Sequence, residues 1–203
     1  MALNFCNNNS LSAITSLPAA IRGGSLNLIS TQTASSSSTL DFTSGIDSTY
    51  KEYIFKFINI HPASDQVEFE FNASTDGGSN YNATKTTTLF RSLHKEDASS
   101  ATLAYADGED TAQGTGTQSL SGSIGNQNDE CSSGFLHLFD PSNTTFVKHF
   151  ISNTCDLNGA ELCRNNYVAG YLNTASAIDA VQFSMSSGNI DSGGIKLYGV
   201  SEI

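Results

Sequence analysis

Short runs of alternating apolar and polar residues, separated by clusters of turn residues, limit most strongly how this chain can fold. Residues 67–71 (VEFEF) place Val67, Phe69 and Phe71 on one face and two glutamates on the other. This pattern is typical of an antiparallel strand with one buried and one solvated face. Residues 52–60 (EYIFKFINI) carry apolar side chains on both faces, which predicts a central strand of a sandwich.

The two predicted faces of that central strand are Tyr53, Phe55, Phe57 and Asn59 on one side and Ile54, Lys56, Ile58 and Ile60 on the other. Further strands are predicted at residues 26–30, 39–42, 86–93, 102–105, 134–139, 145–151, 166–172, 180–185 and 194–200. No window has the period of a strong amphipathic helix. About ten strands with turns every 8–12 residues predict an all-β fold, an antiparallel β-sandwich of jelly-roll type.

Two turn segments are predicted to close hairpins. Residues 140–143 (DPSN) separate two apolar runs, and the proline presets φ while Asp140 and Asn143 can bond the backbone. Residues 74–80 (STDGGSN) contain the Gly77–Gly78 pair, which supplies the positive φ of a tight turn. The spacing from Ser74 to Tyr81 also resembles the Asp-box turn of sialidases, a structural motif that implies no catalysis.

Residues 1–25 differ from the rest of the chain. They contain an asparagine run, Pro18 and the Gly23–Gly24 pair, and they have no sustained strand or helix period. We therefore predict an extended N-terminal arm over residues 1–25 and one β-sandwich domain over residues 26–203. The start of the chain has no basic region before its apolar residues, so it is a poor secretory signal.

The charge of the chain is strongly acidic, with 9 Lys plus Arg against 20 Asp plus Glu and a formal net charge of −11. Such a chain lacks the basic surface that nucleic-acid binding requires, and an anionic membrane surface would repel it. No stretch approaches the roughly 20 apolar residues of a membrane helix. These observations predict no nucleic-acid and no membrane partner, and assembly in a cytoplasm.

Four cysteines are present without a CxxC pair, which argues against a zinc site. Cys155 and Cys163 bracket a polar loop, so the alternatives are a disulfide between them or free thiols, and a cytosolic setting favours free thiols. His137 and His149 lie on the two strands of the predicted 140–143 hairpin. They are interpreted as polar strand positions, with a metal pair or a pH-sensitive contact as the alternative.

Other candidate sites are weak. Asp107, Glu109 and Asp110 could bind calcium with loop carbonyls, but they lack EF-hand spacing, and a solvated loop is the favoured interpretation. There is no G-x-S-x-G, HExxH or P-loop motif. The sequence therefore predicts a non-enzymatic protein with no catalytic, cofactor-binding or metal-binding residues and no cofactor.

Three segments resemble structural proteins of marine tailed bacteriophages. They are residues 39–82 (TLDFTSGIDSTYKEYIFKFINIHPASDQVEFEFNASTDGGSNYN), 132–152 (SSGFLHLFDPSNTTFVKHFIS) and 181–200 (VQFSMSSGNIDSGGIKLYGV). The resemblance implies a virion protein of jelly-roll or β-sandwich type and supplies no catalytic residues.

The leading functional hypothesis is a capsid decoration or cement protein. We expect it to form a homo-oligomer, a trimer in the simplest case, to contact other virion proteins such as the major capsid protein, and to stabilise the assembled particle. The alternative is a tail-fibre or receptor-binding module that recognises host glycans, with Tyr105 and Tyr171 as candidate aromatic platforms. A hydrolase is a third hypothesis without motif support.

A set of large apolar residues at the inward positions of these strands is predicted to form the core. They are Phe55, Phe57, Val67, Phe69, Phe71, Leu136, Leu138, Phe146, Phe150, Phe183 and Leu197. If Phe146 is buried, its replacement by alanine should cost about 3–5 kcal/mol.

Overall fold

A computed structural model describes residues 25–201 of the chain and contains twelve β-strands. In chain order they are β1 Leu26–Thr33, β2 Thr39–Phe42, β3 Glu52–Pro62, β4 Val67–Ser74, β5 Lys85–Lys95, β6 Ala101–Tyr105, β7 Gln118–Ile124, β8 Ser132–Phe139, β9 Lys148–Asn158, β10 Leu162–Leu172, β11 Ala180–Met185 and β12 Ile190–Val200. Apart from Ser25, the predicted arm lies outside the described residues.

The strands form two antiparallel sheets that pack face to face, so the predicted all-β sandwich is confirmed. The large sheet has eight strands in the order β1-β12-β3-β8-β9-β10-β5-β6, and the small sheet has four in the order β2-β11-β4-β7. The jelly-roll connectivity stays a prediction.

Strand β3 lies between β12 and β8, which confirms its predicted central position. Its predicted faces are correct as far as Phe57, but Asn59 has a left-handed φ of 50° and the pairing with β8 shifts between Phe57 and Ile60. This bulge turns Ile60 to the core face, where it is fully buried, and leaves Asn59 exposed. The prediction that Asn59 shares a face with Phe57 was therefore wrong, because one extra residue reverses the alternation.

Aromatic side chains fill the space between the sheets around β3, β4 and β11. Phe183 is fully buried at the centre of this cluster. The rings around it, with centroids 5.2–6.5 Å from that of Phe183, are Phe42, Phe55, Phe57, Phe69 and Phe71. All predicted core residues except Phe146 are buried.

Phe146 is 69% exposed, so its predicted place in the core was wrong. The 140–143 turn is confirmed as the link between antiparallel strands β8 and β9, but β9 begins at Lys148 rather than at residue 145. The side-chain oxygen of Asn143 accepts hydrogen bonds from the backbone amides of Thr145 and Phe146 at 2.7 and 2.8 Å. These bonds hold Phe146 in the turn, outside the alternating pattern of the strand.

The space beneath residues 152–158 of β9 and residues 164–166 of β10 is polar rather than aromatic. The buried Asp156 carboxylate accepts hydrogen bonds from Arg164 at 2.5 and 2.8 Å, from Asn166 at 2.7 Å and from Ser121 at 2.6 Å. Ser121 belongs to β7, which is not among the strands predicted from the sequence. The small sheet is thus attached to the large one here by hydrogen bonds as well as by apolar packing.

The segment after β4 does not form the predicted hairpin. Strand β4 pairs with β11 and β7, whereas β5 pairs with β10 and β6, so the chain crosses from the small sheet to the large one. The local geometry was correctly predicted: Gly77 and Gly78 have φ of 71° and 86°. The Ser74 hydroxyl donates to Asp76 at 2.7 Å and accepts from the Gly78 amide at 3.0 Å, so the two side chains brace the turn.

Candidate functional site

One face of the large sheet packs on the small sheet, and within residues 25–201 no other layer covers the opposite face. We call this the outer face. Within the described residues, the exposed large apolar side chains lie on strands of the large sheet or in the β8–β9 turn. They are Leu26, Leu28, Ile58, Phe90, Leu103, Tyr105, Phe135, Phe146, Ile151 and Tyr167.

Several of these side chains form a row across neighbouring strands of the outer face. Phe135 on β8 lies opposite Asn153, which lies opposite Tyr167 on β10. Tyr167 in turn lies opposite Phe90, and Phe90 lies opposite Tyr105 on β6. The rings of Phe90 and Tyr167 stack with centroids 5.0 Å apart and planes 7° apart. Aromatic pairs of this kind stabilise adjacent strands and leave flat apolar surface in contact with solvent.

Two adjoining depressions lie beside this row, and both are lined by His149. The first, of about 550 Å³, lies at the β8–β9 turn between Phe139, Phe146 and Asn143. The second, of about 480 Å³, lies over β9, β10 and β5. Because they share His149, we treat them as one groove and call it the His149 groove.

The second depression exists because small residues lie between large ones on β10. Ala169 lies between Tyr167 and Tyr171 on the same face of the strand, and its neighbours across the sheet are Ile151 and Thr88. A Cβ at the adjacent Gly170 would lie only 2.6 Å from the Thr86 carbonyl oxygen, so the close approach of β10 to β5 requires glycine.

A polar network borders the groove. The Gln113 side-chain amide donates to the Thr86 hydroxyl at 2.6 Å and to the Tyr171 hydroxyl at 3.3 Å. Its carbonyl oxygen accepts from Asn173 at 2.7 Å. The groove therefore has aromatic walls and a border of amides and hydroxyls.

Strand β6 forms one edge of the large sheet and pairs only with β5 among the described strands. All five of its residues are exposed, with Leu103 at 73% and Tyr105 at 53%. Its sequence, ATLAY, has no charged residue and no proline. An edge of this kind lacks charged residues and proline, two of the devices that natural proteins use to prevent strand pairing.

The structure separates the two predicted aromatic platforms. Tyr105 is on the β6 edge, and its hydroxyl donates to Asp110 at 2.5 Å. Tyr171 is half-buried in the wall of the groove, with its ring centroid 6.2 Å from that of His149. Sequence analysis missed Ala169, although the run YVAGY (167–171) places a small residue between two tyrosines of the same face.

The alternative interpretation of His137 and His149, a pair of facing histidines, is not realised. His137 lies opposite Ile151, and its Nδ1 contacts the Glu52 carboxylate, whereas His149 lies opposite Tyr171. The idea that the two histidines face each other was wrong because β9 begins later than predicted, which offsets the register.

The acidic loop residues do not converge. Glu109 forms an ion pair with Arg91, and Asp110 accepts the hydrogen bond from Tyr105. Asp107 is exposed. Among the residues that the structure describes, no group of three or more His, Cys, Asp or Glu side chains is placed to hold a metal ion.

Cys155 and Cys163 are free thiols on the adjacent strands β9 and β10, with their sulfur atoms 3.9 Å apart. Desolvation of the sulfur, together with the hydrogen bond to Cys163, raises the pKa of Cys155 to about 11. The polar loop expected between them is reduced to the short β9–β10 turn.

The buried charged groups of the described residues have partners within the fold. Burial raises the pKa of Asp156, and the Arg164 charge and the hydrogen bonds described above oppose this shift. Lys85 is fully buried and donates to Asn72 at 2.8 Å, and burial lowers its pKa to about 8. Lys148 is also fully buried and donates to the Thr174 carbonyl at 3.0 Å.

Comparison of the chain with protein-family models, with curated proteins and with solved structures finds no match in any of the three. Within residues 25–201 there is no helix that could span a membrane.

Proposed function

We propose that this protein is a non-enzymatic structural component of a tailed-bacteriophage virion, specifically a capsid decoration or cement protein that assembles through strand β6. The observation that carries the proposal is the uncharged β6 edge, with all five residues exposed. The resemblance of residues 39–82, 132–152 and 181–200 to phage structural proteins supplies the virion setting.

Strand addition is the chemistry that an edge such as β6 favours. The backbone groups on its free side have no strand partner in the described part of the chain, and a strand of a second copy can pair with them. The uncharged sequence of β6 avoids like-charge contact at the junction, although the whole chain carries −11. The proposed assembly is a homo-oligomer. Pairing of β6 with β6 of a second copy closes a two-fold dimer, whereas the expected trimer requires β6 to pair with a different edge of the next copy.

The proposed mechanism of the decoration role is stabilisation by mass action. A protein that binds only the assembled capsid lowers the free energy of that state relative to separated subunits. The exposed apolar side chains of the large sheet, such as Leu28 and Ile58, provide contact area for the major capsid protein. Asp156 and Lys85 have structural partners, which supports a non-enzymatic role.

A second candidate function, a tail-fibre or receptor-binding module for host glycans, is favoured by the His149 groove. Cross-linking mass spectrometry on intact virions distinguishes the two. Links from Lys56 to the major capsid protein would support decoration, and links only to tail proteins would contradict it.

Sedimentation equilibrium tests the assembly surface directly. A Leu103→Lys variant places a charge on the β6 edge and should reduce the oligomer to monomers. Ile58→Lys, a matched change on a central strand, should leave the oligomer intact. Monomeric wild-type protein, or an unchanged Leu103→Lys oligomer, would refute assembly through β6.

A further inference from the structure

We propose that the His149 groove is a binding site for a neutral oligosaccharide. This inference deepens the second candidate function and does not require the decoration role or the β6 contact. It rests on three features of the groove: aromatic walls, a border of polar side chains, and lining residues that include only one Lys, Arg, Asp or Glu side chain.

The walls present rings to whatever enters the groove. Tyr171 and His149 have centroids 6.2 Å apart with planes inclined at 56°, and they form the walls where the two depressions meet. Phe139 and Phe146 line the far depression, and Phe146 is 69% exposed. The apolar C–H faces of pyranose rings pack on aromatic surfaces of this kind, and amphipathic rings are common where one side of a ligand is apolar and the other is wet.

The polar side chains at the border of the groove can form hydrogen bonds with the hydroxyl groups of a sugar. Gln113 positions the Thr86 and Tyr171 hydroxyls at one end, where they can both donate and accept hydrogen bonds. Asn143 and Thr145 line the other end. A purely apolar partner would leave these polar groups without water or a replacement, which is unfavourable.

The charge of the groove selects against acidic sugars. Asp140 is the only Lys, Arg, Asp or Glu among the residues that line the two depressions, and its carboxylate is paired with Lys51 at 2.9 Å. No lysine or arginine lines the groove to bind a carboxylate or sulfate group, and the chain as a whole is acidic. A neutral ligand therefore fits better than an anionic one.

The groove is large enough for more than one sugar unit. Each depression, at about 550 and 480 Å³, falls within the range of roughly 300–1,000 Å³ of small-molecule sites. With His149 between them, one unit on each side corresponds to a disaccharide or a longer chain.

The test is binding of purified protein to a panel of neutral oligosaccharides built from glucose, N-acetylglucosamine, mannose or galactose, with an acidic polysaccharide and an apolar peptide as comparisons. A glycan array identifies the sugar, and titration followed by NMR measures its affinity. Tyr171→Ala, which removes a wall, and Ala169→Phe, which fills the floor, should each weaken binding on the order of tenfold or more.

Phe135→Ala is the matched control, because it removes an exposed aromatic ring of the same sheet that lines neither depression and lies outside β6. It should bind the sugar as the wild type does, and thermal melts should show all three variants folded. Absence of binding to every neutral sugar, binding only to the acidic polysaccharide or the peptide, or unchanged binding by both groove variants would overturn the proposal. The groove variants should keep the wild-type sedimentation behaviour, so failure here is distinguishable from failure of β6 assembly.

Discussion

Replacing Phe183 with alanine should destabilise the protein more than any exposed aromatic substitution. Phe183 is fully buried, and five aromatic rings surround it. Removing a buried phenylalanine side chain typically costs about 3–5 kcal/mol, because transfer free energy is lost and a cavity remains. The neighbouring rings belong to both sheets, so they cannot easily collapse into the space, and we expect the upper half of that range.

Chemical denaturation followed by circular dichroism measures this loss as a change in the free energy of unfolding. For a domain of this size, each 1 kcal/mol lowers the melting temperature by about 2–4 °C, so a loss of about 4–5 kcal/mol should lower the melting temperature of the variant by about 8–20 °C. Phe146→Ala is the matched control, since that ring is 69% exposed. It should change stability by no more than about 0.5 kcal/mol. A Phe183→Ala loss below about 1.5 kcal/mol, or an equal loss in Phe146→Ala, would refute the placement of the core.

Three further predictions concern buried and reactive groups. Arg164→Ala leaves the Asp156 carboxylate buried without its cation and should lower the free energy of unfolding, measured with urea, by about 3–5 kcal/mol. The double variant Arg164→Met with Asp156→Leu removes both charges and should lose less of this free energy than Arg164→Ala alone. Lys85 has a folded-state pKa of about 8, below its ordinary value of 10.5, so the unfolded chain binds more protons between these pH values. The wild type should therefore gain stability relative to Lys85→Met as pH rises from about 8 to 10.5, and a flat difference would contradict the burial of the charge. Iodoacetamide should alkylate Cys155 with a pH midpoint near its pKa of about 11, and diamide should join Cys155 to Cys163 with the loss of two hydrogen atoms, both detectable by mass spectrometry.

Strand positions and the core were predictable wherever one face of a strand is apolar. The pattern of residues 67–71 identified β4 correctly, because period-two alternation reports burial directly. The bulge at Asn59 was not predictable in the same way. Nothing in the alternation of residues 52–60 marks Asn59 as the residue with a left-handed φ. Gly193, which lies beside Asn59 in space and permits the close approach of β12, is far from it in the sequence.

Strand β7 was missed because its composition conceals its burial. Residues 118–124 (QSLSGSI) are rich in serine and glycine, which favour turns when solvated. Here Gln118 and Ser121 are buried, and their hydrogen-bond partners, Thr87 and Asp156, lie on other strands. Polar residues become good core residues only when such partners are present, and sequence alone does not show which partners will meet.

The candidate site was only partly predictable, because strand pairing decides which of its residues meet and the sequence does not show that pairing. Tyr171 was identified as an aromatic platform, but its role depends on His149 and Ala169, which the pairing of β9, β10 and β5 brings beside it. The misplaced start of β9 also assigned Phe146 to the core, whereas it lines the groove. An error of three residues at a strand end is thus enough to exchange core and surface.

The polar layer beneath β9 and β10 explains how the groove keeps its shape. Asp156, Arg164 and Asn166 point inward from the same strands whose alternate residues, Ile151 and Tyr171, point outward. Because side chains alternate with period two, a slip of one residue between these strands would bury the groove walls and expose the charges. Apolar side chains alone tolerate such shifts better than directed hydrogen bonds do. The buried network therefore fixes the register of the two strands, and that register places Tyr171 and Ala169 beside His149.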